Sequence, residues 1–420
     1  MEKLILDSKN TLVNLGNSIL GYFEAPKFHD SLKIADKILT KAKKRKVALI
    51  LLDGMGQIIY EKYKEYIPCL YSHIVAPFKS VYPPTTVAAT TALTTGKYPI
   101  ETSYLGWTQY FKTKDAYINV FPSTDAINAG VTYTPPVTEV ELKVDKIWDL
   151  INKLGKYKAT SISSFQFRKP EGGDDFDLFF NKANELIKEN DFTYIYSGNP
   201  DHLLHEFGTN DEHIKENLIY LNKKVQELVE NNSDTLFFLT ADHGFADVIE
   251  IPVTEHEDFL DTLSVPVCSI EGRFATFSVK NKEKFIELAN KYYGENFIIK
   301  SKEEILNEHT FGYGEINKNS LDVIKDYTLI AKGKYIFYNG PEPIGFKGAH
   351  AGATKGETDI YLVAFNDWSL IALSFFFWYI TSIKAIMVKI TKSGIPIPKS
   401  KAMLPFPILQ LSYTSFTSLL

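Results

Sequence analysis

The chain has 420 residues, of which 45% are hydrophobic and 23% are charged. This balance excludes a disordered, collagen-like or small disulfide-stapled protein, and the net charge of −5 offers no basic surplus for binding nucleic acid. Cys69 and Cys268 match no metal or redox spacing, so we expect both to be buried apolar residues in a reducing compartment. The first residues lack the unbroken apolar segment of a signal peptide, which predicts a cytoplasmic protein.

The first two predicted elements lie before residue 100. Residues 46–52 form an apolar run after the first lysine, too short for a typical helix and followed by an Asp-Gly pair, which predicts a central strand. In residues 82–96, two prolines fix an extended entry, Thr85 or Thr86 can cap a helix, and Gly96 suits its end. A threonine hydroxyl at a helix start stands beside amides that stabilise anions, so it is a candidate nucleophile as well as an ordinary cap.

Further along the chain, apolar runs alternate with charged segments. Residues 192–197 and 235–240 repeat the pattern of the first strand, and residues 211–231 between them are typical of a helix. The alternation predicts an α/β fold with a mostly parallel sheet and helices on both faces. Within residues 265–335, short β-like runs, a charged helix over 282–293 and Gly-rich turns predict an inserted, smaller α+β subdomain.

These changes divide the chain into three parts. Residues 1–264 and 336–366 form the predicted catalytic core around the insertion, and residues 367–420 form an apolar and basic tail with a single acidic residue. Within the tail, the apolar run 368–388 is interrupted by one lysine and falls just short of the roughly 20 residues of a membrane span. Three interpretations stay open: a membrane anchor, which would make the protein membrane-associated, a buried helix and tail, or a stretch translated out of frame.

An aspartate follows each of the three predicted strands, and histidines stand close by in sequence. Because ligands of open α/β sheets bind at the carboxyl ends of the strands, we expect these side chains to converge on one crevice. Mixed aspartate and histidine ligands without cysteine favour zinc, manganese or a similar cation. The candidate metal ligands are Asp53, Asp201, His205, Asp242, His243 and His350. A phosphate-binding P-loop, a dinucleotide fingerprint and a Gly-x-Ser-x-Gly elbow are all missing from the sequence, which favours metal-assisted phosphoryl transfer.

The order of motifs is Asp-Gly, a Thr-rich helix, Pro-Asp-x-x-x-His, Asp-His-Gly and Gly-x-His-x-Gly. From about Val47 to Phe365 it resembles the alkaline phosphatase superfamily, and most closely a bacterial branch of the type I phosphodiesterase/nucleotide pyrophosphatase family. The resemblance implies an alkaline-phosphatase-like core with two zinc ions, or manganese as the alternative. One ion would be held by Asp201, His205 and His350. The other would be held by Asp53, Thr86, Asp242 and His243, with Thr86 as the nucleophile and Thr85 as the fallback.

The resemblance therefore implies a phosphodiesterase or nucleotide pyrophosphatase that passes through a phospho-threonine. Its substrate would be a small phosphate ester, with nucleotides among the candidates and the substrate-binding residues still open. The chain has only three arginines, Arg45, Arg168 and Arg273, none of them in the motifs. A guanidinium clamp for a phosphomonoester is thus not evident, which favours diesters. A phosphonate hydrolase or phosphomutase of the same superfamily, or an inactive membrane-tethered binding relative, are the alternatives, and the oligomeric state is open.

Overall fold

The computed structural model describes residues 4, 7–42, 46–170 and 172–365. The tail 367–420, with its candidate membrane segment 368–388, lies outside the described residues, so its three interpretations stay predictions. Among the described residues, no helix combines the length and the apolar character needed to cross a membrane.

The regular elements are numbered in chain order. The described strands are β1 (Lys46–Leu52), β2 (Ile74–Lys79), β3 (Thr108–Phe111), β4 (Ala116–Asn119), β5 (Thr124–Asp125), β6 (Ala159–Ser163), β7 (Phe192–Ser197), β8 (Thr235–Thr240), β9 (Ala246–Asp247), β10 (Ile249–Pro252), β11 (Ser269–Glu271), β12 (Phe274–Phe277), β13 (Phe297–Ser301), β14 (Tyr327–Ala331), β15 (Tyr335–Tyr338), β16 (Gly348–Ala349) and β17 (Asp359–Phe365). The described helices are α1 (Leu12–Tyr22), α2 (Lys33–Ala42), α3 (Gln57–Tyr63), α4 (Pro68–Ser72), α5 (Thr86–Thr95), α6 (Pro99–Thr102), α7 (Val137–Val140), α8 (Ile147–Lys153), α9 (Phe176–Glu189), α10 (Asp201–Phe207), α11 (Glu212–Asn231), α12 (Glu257–Leu260), α13 (Lys282–Tyr293), α14 (Lys302–Asn307), α15 (Lys318–Val323) and α16 (Lys355–Thr358), with a 3-10 turn at Ser164–Phe167.

A six-stranded sheet forms the centre of the molecule, in the order β2-β17-β8-β1-β7-β6. Strand β1 pairs in parallel with β7 and β8, and β6 pairs in parallel with β7, whereas β17 runs antiparallel to both of its neighbours. The strands β7 and β8 are buried along their whole length, as expected for a sheet covered on both faces. The α/β class and the mostly parallel sheet are confirmed, and the three predicted strands have the predicted bounds.

A second, antiparallel sheet of seven strands has the order β13-β14-β12-β11-β3-β4-β5. Its core contains the fully buried rings of Phe259, Phe277 and Phe285. Four of its strands come from the predicted insertion, and the other three come from residues 108–125, joined where Ile270 lies opposite Thr108. The sheet thus unites distant segments, and the limits 265–335 of the subdomain stay a prediction.

Smaller sequence predictions also agree with the structure. The helix expected over residues 211–231 is α11, whose first amides are capped by the side chain of Asp211, and the helix over 282–293 is α13. Cys69 and Cys268 are both buried and unpaired.

Candidate active site

Three aspartates meet at the carboxyl edge of the central sheet. Asp53 follows β1 directly, Asp242 lies two residues beyond β8, and Asp201 begins α10 shortly after β7. Because β7, β1 and β8 are adjacent and parallel, their ends bring these carboxylates together. The amide of Asp201 donates to the carbonyl of Asp53 at 2.9 Å, which fixes two of the three turns against each other. The predicted convergence of strand-end carboxylates is confirmed.

Close backbone packing at two glycines makes this convergence possible. Gly54 has a φ of +74°, and a Cβ there would lie 2.8 Å from the Phe245 ring and 3.1 Å from the Cα of Asp201. A Cβ on Gly244 would come within 2.0 Å of the Gly356 carbonyl oxygen. The glycines in the Asp-Gly and Asp-His-Gly motifs are therefore required by the approach of neighbouring turns.

The Thr-rich segment forms α5, which begins at Thr86 and ends before Gly96 in a left-handed conformation. The hydroxyl of Thr86 lies 3.3 Å from Asp53 Oδ2 and 3.2 Å from His243 Nε2. The hydroxyl of Thr85 faces another way and donates to Glu271 at 2.6 Å. The structure thus places Thr86, and not the fallback Thr85, among the candidate metal ligands.

The remaining histidines surround Asp201. His205 Nε2 and His350 Nε2 each lie 3.6 Å from Asp201 Oδ1. The other ring nitrogen of His205 is 2.9 Å from the Gly348 carbonyl oxygen, a contact that orients Nε2 towards the aspartate. All seven site residues chosen from the sequence are therefore brought together at one place.

The donor set fits divalent cations. One group with mutually close ligand atoms, all within 4.8 Å, is Asp201, His205 and His350, and the other is Asp53, Asp201 and His243. Asp201 thus belongs to both groups, whereas the sequence assigned it to one. Asp201 Oδ1 and Asp242 Oδ2 are buried without a hydrogen-bond partner, the condition expected of oxygens that complete a cation's coordination. Oxygen and imidazole ligands without thiolate suit zinc or manganese.

Burial shifts the pKa values of these candidate ligands. It raises the pKa of Asp53 and of Asp201 well above the usual range, and the neighbouring Asp242 charge raises both pKa values further. The charge of Glu271 also contributes to the raised pKa of Asp201. Burial lowers the pKa of His205 to about 3 and depresses the pKa values of His243 and His350 as well. The histidines are therefore neutral and able to coordinate a metal, and a bound cation would offset the repulsion among the carboxylates.

The family model for type I phosphodiesterase/nucleotide pyrophosphatase matches residues 47–353, well over half of the chain. The chain belongs to this family. It is thereby a member of a group of metal-dependent phosphoester hydrolases within the alkaline phosphatase superfamily. No curated protein sequence matches the chain.

Solved structures of the family share the fold. Murine ectonucleotide pyrophosphatase/phosphodiesterase 5, in an inactive point-mutant form in complex with AMP, aligns with a TM-score of 0.56 at 14% identity, covering 76% of this chain and 88% of that one. The human protein of the same name aligns with a TM-score of 0.55 at 15% identity, covering 76% and 87%. The alkaline-phosphatase-like fold expected from the sequence is confirmed.

Two polar contacts that the sequence did not signal hold two of the candidate metal ligands. The Tyr196 hydroxyl, inside the buried strand β7, donates a short hydrogen bond to Asp53 Oδ2. Asp242 Oδ1 accepts from the amides of Gly54 at 3.1 Å and His243 at 3.0 Å, so its Oδ2 is left to face the site. No local pattern singles out Tyr196, because β7 also contains Thr193 and Tyr194.

A buried ion pair fastens the loop that carries His350. The Arg273 guanidinium binds Glu357 through two hydrogen bonds of 2.7 and 2.8 Å, and both side chains are fully buried. Glu357 also accepts from the Gly352 amide at 2.6 Å, and its own carbonyl accepts from the Gly244 amide. Glu357 therefore connects the His350 loop to the Asp-His-Gly turn. No local sequence motif indicates this contact between distant segments.

The site opens into a cavity of about 1280 Å³. Thr86, Asp53, Asp201, His205 and His350 lie on its wall. Its aromatic lining includes Trp107, Phe121, Trp148, Phe165, Tyr196 and Phe346. Such a large, mainly apolar cleft with a few polar groups is the usual form of a small-molecule site.

Proposed function

We propose that the protein is a two-metal phosphodiesterase or nucleotide pyrophosphatase in which Thr86 is the nucleophile. The observation that carries the proposal is the position of the Thr86 hydroxyl, which contacts both Asp53 and His243 beside two groups of potential metal ligands. Membership of the family supports a phosphoester hydrolase. Divalent ions held by the two groups would supply charge stabilisation for the attacking and leaving oxygens.

In the proposed reaction, residues of the chain accept the proton of the nucleophile, attack phosphorus and hold a phosphoryl oxygen. The Thr86 hydroxyl points towards Asp53 Oδ2, which can accept its proton. Thr86 Oγ then bonds to phosphorus while the ester bond to the leaving oxygen breaks, and water hydrolyses the resulting phospho-threonine. Thr86 also stands at the amino end of the ten-residue helix α5, whose first amides are free to hold a non-bridging phosphoryl oxygen.

A nucleotide ester is the substrate class we propose. The mouse relative binds AMP in its crystal complex, and the cavity beside Thr86 is roomy and lined by aromatic rings. Zinc or manganese as the metal and a cytoplasmic location are further parts of the proposal.

Hydrolysis of bis-p-nitrophenyl phosphate and p-nitrophenyl phosphate by the purified protein tests the proposal. We expect activity that favours the diester, disappears with chelator and returns with zinc or manganese. A folded, metal-loaded protein that cleaves neither compound would contradict it. Cleavage of a phosphonate, or transfer of the phosphoryl group to a second position of the same molecule, would support the alternatives within the superfamily.

A further inference from the structure

One carboxylate beside the nucleophile has no place among the metal ligands. Glu271 is the last residue of β11 in the second sheet, and it lines the same cavity as Thr86 and Asp201. No sequence pattern selects it, because β11 is brought to the site only by its pairing with β3.

Two hydrogen bonds fix the Glu271 side chain. Its Oε1 accepts from the Thr85 hydroxyl at 2.6 Å and from the Trp107 amide at 2.8 Å. Thr85 immediately precedes the nucleophile, so these bonds hold the carboxylate at a set position beside the start of α5. Among the described residues, Oε2 has no hydrogen-bond donor, and it remains available to the cavity.

The protein does not neutralise this carboxylate. In the described part of the chain, no lysine or arginine forms an ion pair with Glu271. The nearest arginine in sequence, Arg273, donates to Glu357 and to the carbonyl oxygens of Gly333 and Tyr335. Arg168 also lines the cavity, but it lies near Asp174 at 3.9 Å and is 61% exposed. An incoming phosphoryl group therefore meets, beside Thr86, a carboxylate that forms no ion pair with a described lysine or arginine.

The consequence depends on the charge of the substrate. A phosphodiester carries one negative charge, whereas a phosphomonoester carries close to two at neutral and alkaline pH. Coulomb repulsion from a fixed carboxylate therefore disfavours the monoester more strongly. We propose that Glu271 is a specificity-determining residue that makes the site select phosphodiester monoanions over phosphomonoester dianions. This inference rests on the proposed function and deepens it.

Glu271 carries its negative charge in an assay at alkaline pH. Burial raises the pKa of Glu271 to about 7, and the hydrogen bonds from Thr85 and Trp107 lower that pKa in part. The other ionisable groups whose pKa values respond to its charge are Asp201 and the buried thiol of Cys268. At about pH 9 the carboxylate is thus ionised, and no described lysine or arginine pairs with it. Lys146 also lines the cavity, but burial lowers its pKa to about 8, so at this pH it is mostly neutral.

The test removes the negative charge of Glu271 and keeps the shape of its side chain. In the metal-loaded Glu271→Gln variant, the amide oxygen can still accept from Thr85 and Trp107, but the negative charge is gone. At about pH 9 we expect the ratio of kcat/KM for p-nitrophenyl phosphate to kcat/KM for bis-p-nitrophenyl phosphate to rise about tenfold, or about 1.4 kcal/mol. Thr85→Val is the matched control, because it removes one hydrogen bond but leaves the charge and the bond from the Trp107 amide, so its ratio should change much less than that of Glu271→Gln.

Two results would overturn the inference. One is an unchanged ratio in Glu271→Gln, and the other is an equal shift of the ratio in Thr85→Val, which would assign the effect to positioning of α5. If the wild type cleaves neither compound, the proposed function fails, and Glu271 is tested by binding instead. Inorganic phosphate should then bind the metal-loaded Glu271→Gln variant about tenfold more tightly than the wild type, with dimethyl phosphate affected less. Equal changes for both anions would contradict the inference.

Discussion

The two groups of candidate metal ligands are built in different ways. Asp53, Asp242 and His243 lie within three residues after β1 or β8 of the central sheet, and their side chains are at most 2% exposed. Asp201, His205 and His350 lie on α10 and on the loop after β16, and 10–20% of each side chain is exposed. The ends of two sheet strands position the first group, whereas the second is carried by α10 and a loop from a distant segment. A more buried half and a more open, loop-dependent half thus meet at Asp201.

The largest effect should come from the nucleophile, which belongs to the buried half. Thr86→Ala removes the attacking oxygen, so we expect turnover of bis-p-nitrophenyl phosphate to fall by at least roughly 10³-fold. Bound metal, measured by elemental analysis, should stay close to the wild-type level, because Asp53, Asp242 and His243 remain as ligands. Thr85→Val should keep most of the activity, because the Thr85 hydroxyl contacts Glu271 instead of the ligands. The opposite pattern would assign the nucleophile to Thr85.

The loop-dependent half should be sensitive to its buried ion pair. Arg273→Met leaves Glu357 buried without its cation, which should lower the free energy of unfolding by about 3–5 kcal/mol. Urea unfolding of the metal-free protein measures this change. Replacing Glu357 by Leu in the same chain should restore part of the stability, and Arg168→Met on the surface should cost less than about 0.5 kcal/mol. A loss below about 1 kcal/mol for Arg273→Met would show that the pair does not anchor the loop.

Zinc binding tests whether Asp201 is shared by the two groups of candidate ligands. Because Asp201 belongs to both groups, Asp201→Asn should weaken zinc binding at both positions by at least roughly tenfold. His205→Asn and His243→Asn should each weaken one position only. Competition titrations with a chromophoric chelator resolve the two steps. A wild-type second step in Asp201→Asn would restrict Asp201 to a single ion.

The remaining prediction concerns the stability of the metal-free protein in acid. Burial lowers the pKa of His205 to about 3 in the folded chain, against an ordinary value of 6.5. Between these pH values only the unfolded chain binds a proton there, so the stabilisation is complete above about pH 6.5 and is lost by about pH 3. On acidification, the free energy of unfolding should fall more steeply for the metal-free wild type than for His205→Asn, by up to about 1.4 kcal/mol per pH unit. Solvent screening of the partly exposed ring reduces this difference.

Chelator-treated protein followed by urea unfolding at several pH values gives this slope. His213→Asn, on the exposed part of α11, is the matched control and should follow the wild type. A His205→Asn slope equal to that of the wild type would contradict the assignment of the acid effect to His205.

The features that could be predicted from the sequence are those determined by residues close together along the chain. The strands at 46–52, 192–197 and 235–240, the helix that begins at Thr86 and the aspartates after the strands follow from local patterns of apolar residues, prolines and glycines. The Arg273–Glu357 pair, the contact of Glu271 with Thr85 and the joining of residues 108–125 to β11 depend on long-range pairing. Such pairs carry no local periodicity, and only the three-dimensional arrangement reveals them.

The position of β17 has a consequence for biosynthesis. This strand, the last described element of the chain, lies in the interior of the central sheet between β2 and β8. While a ribosome is still producing residues 359–365, β2 has no partner and β8 is paired only with β1, and the open edges are prone to wrong pairing. His350 and Glu357 emerge at almost the same moment. The full set of candidate metal ligands can therefore assemble only after these last elements have been made.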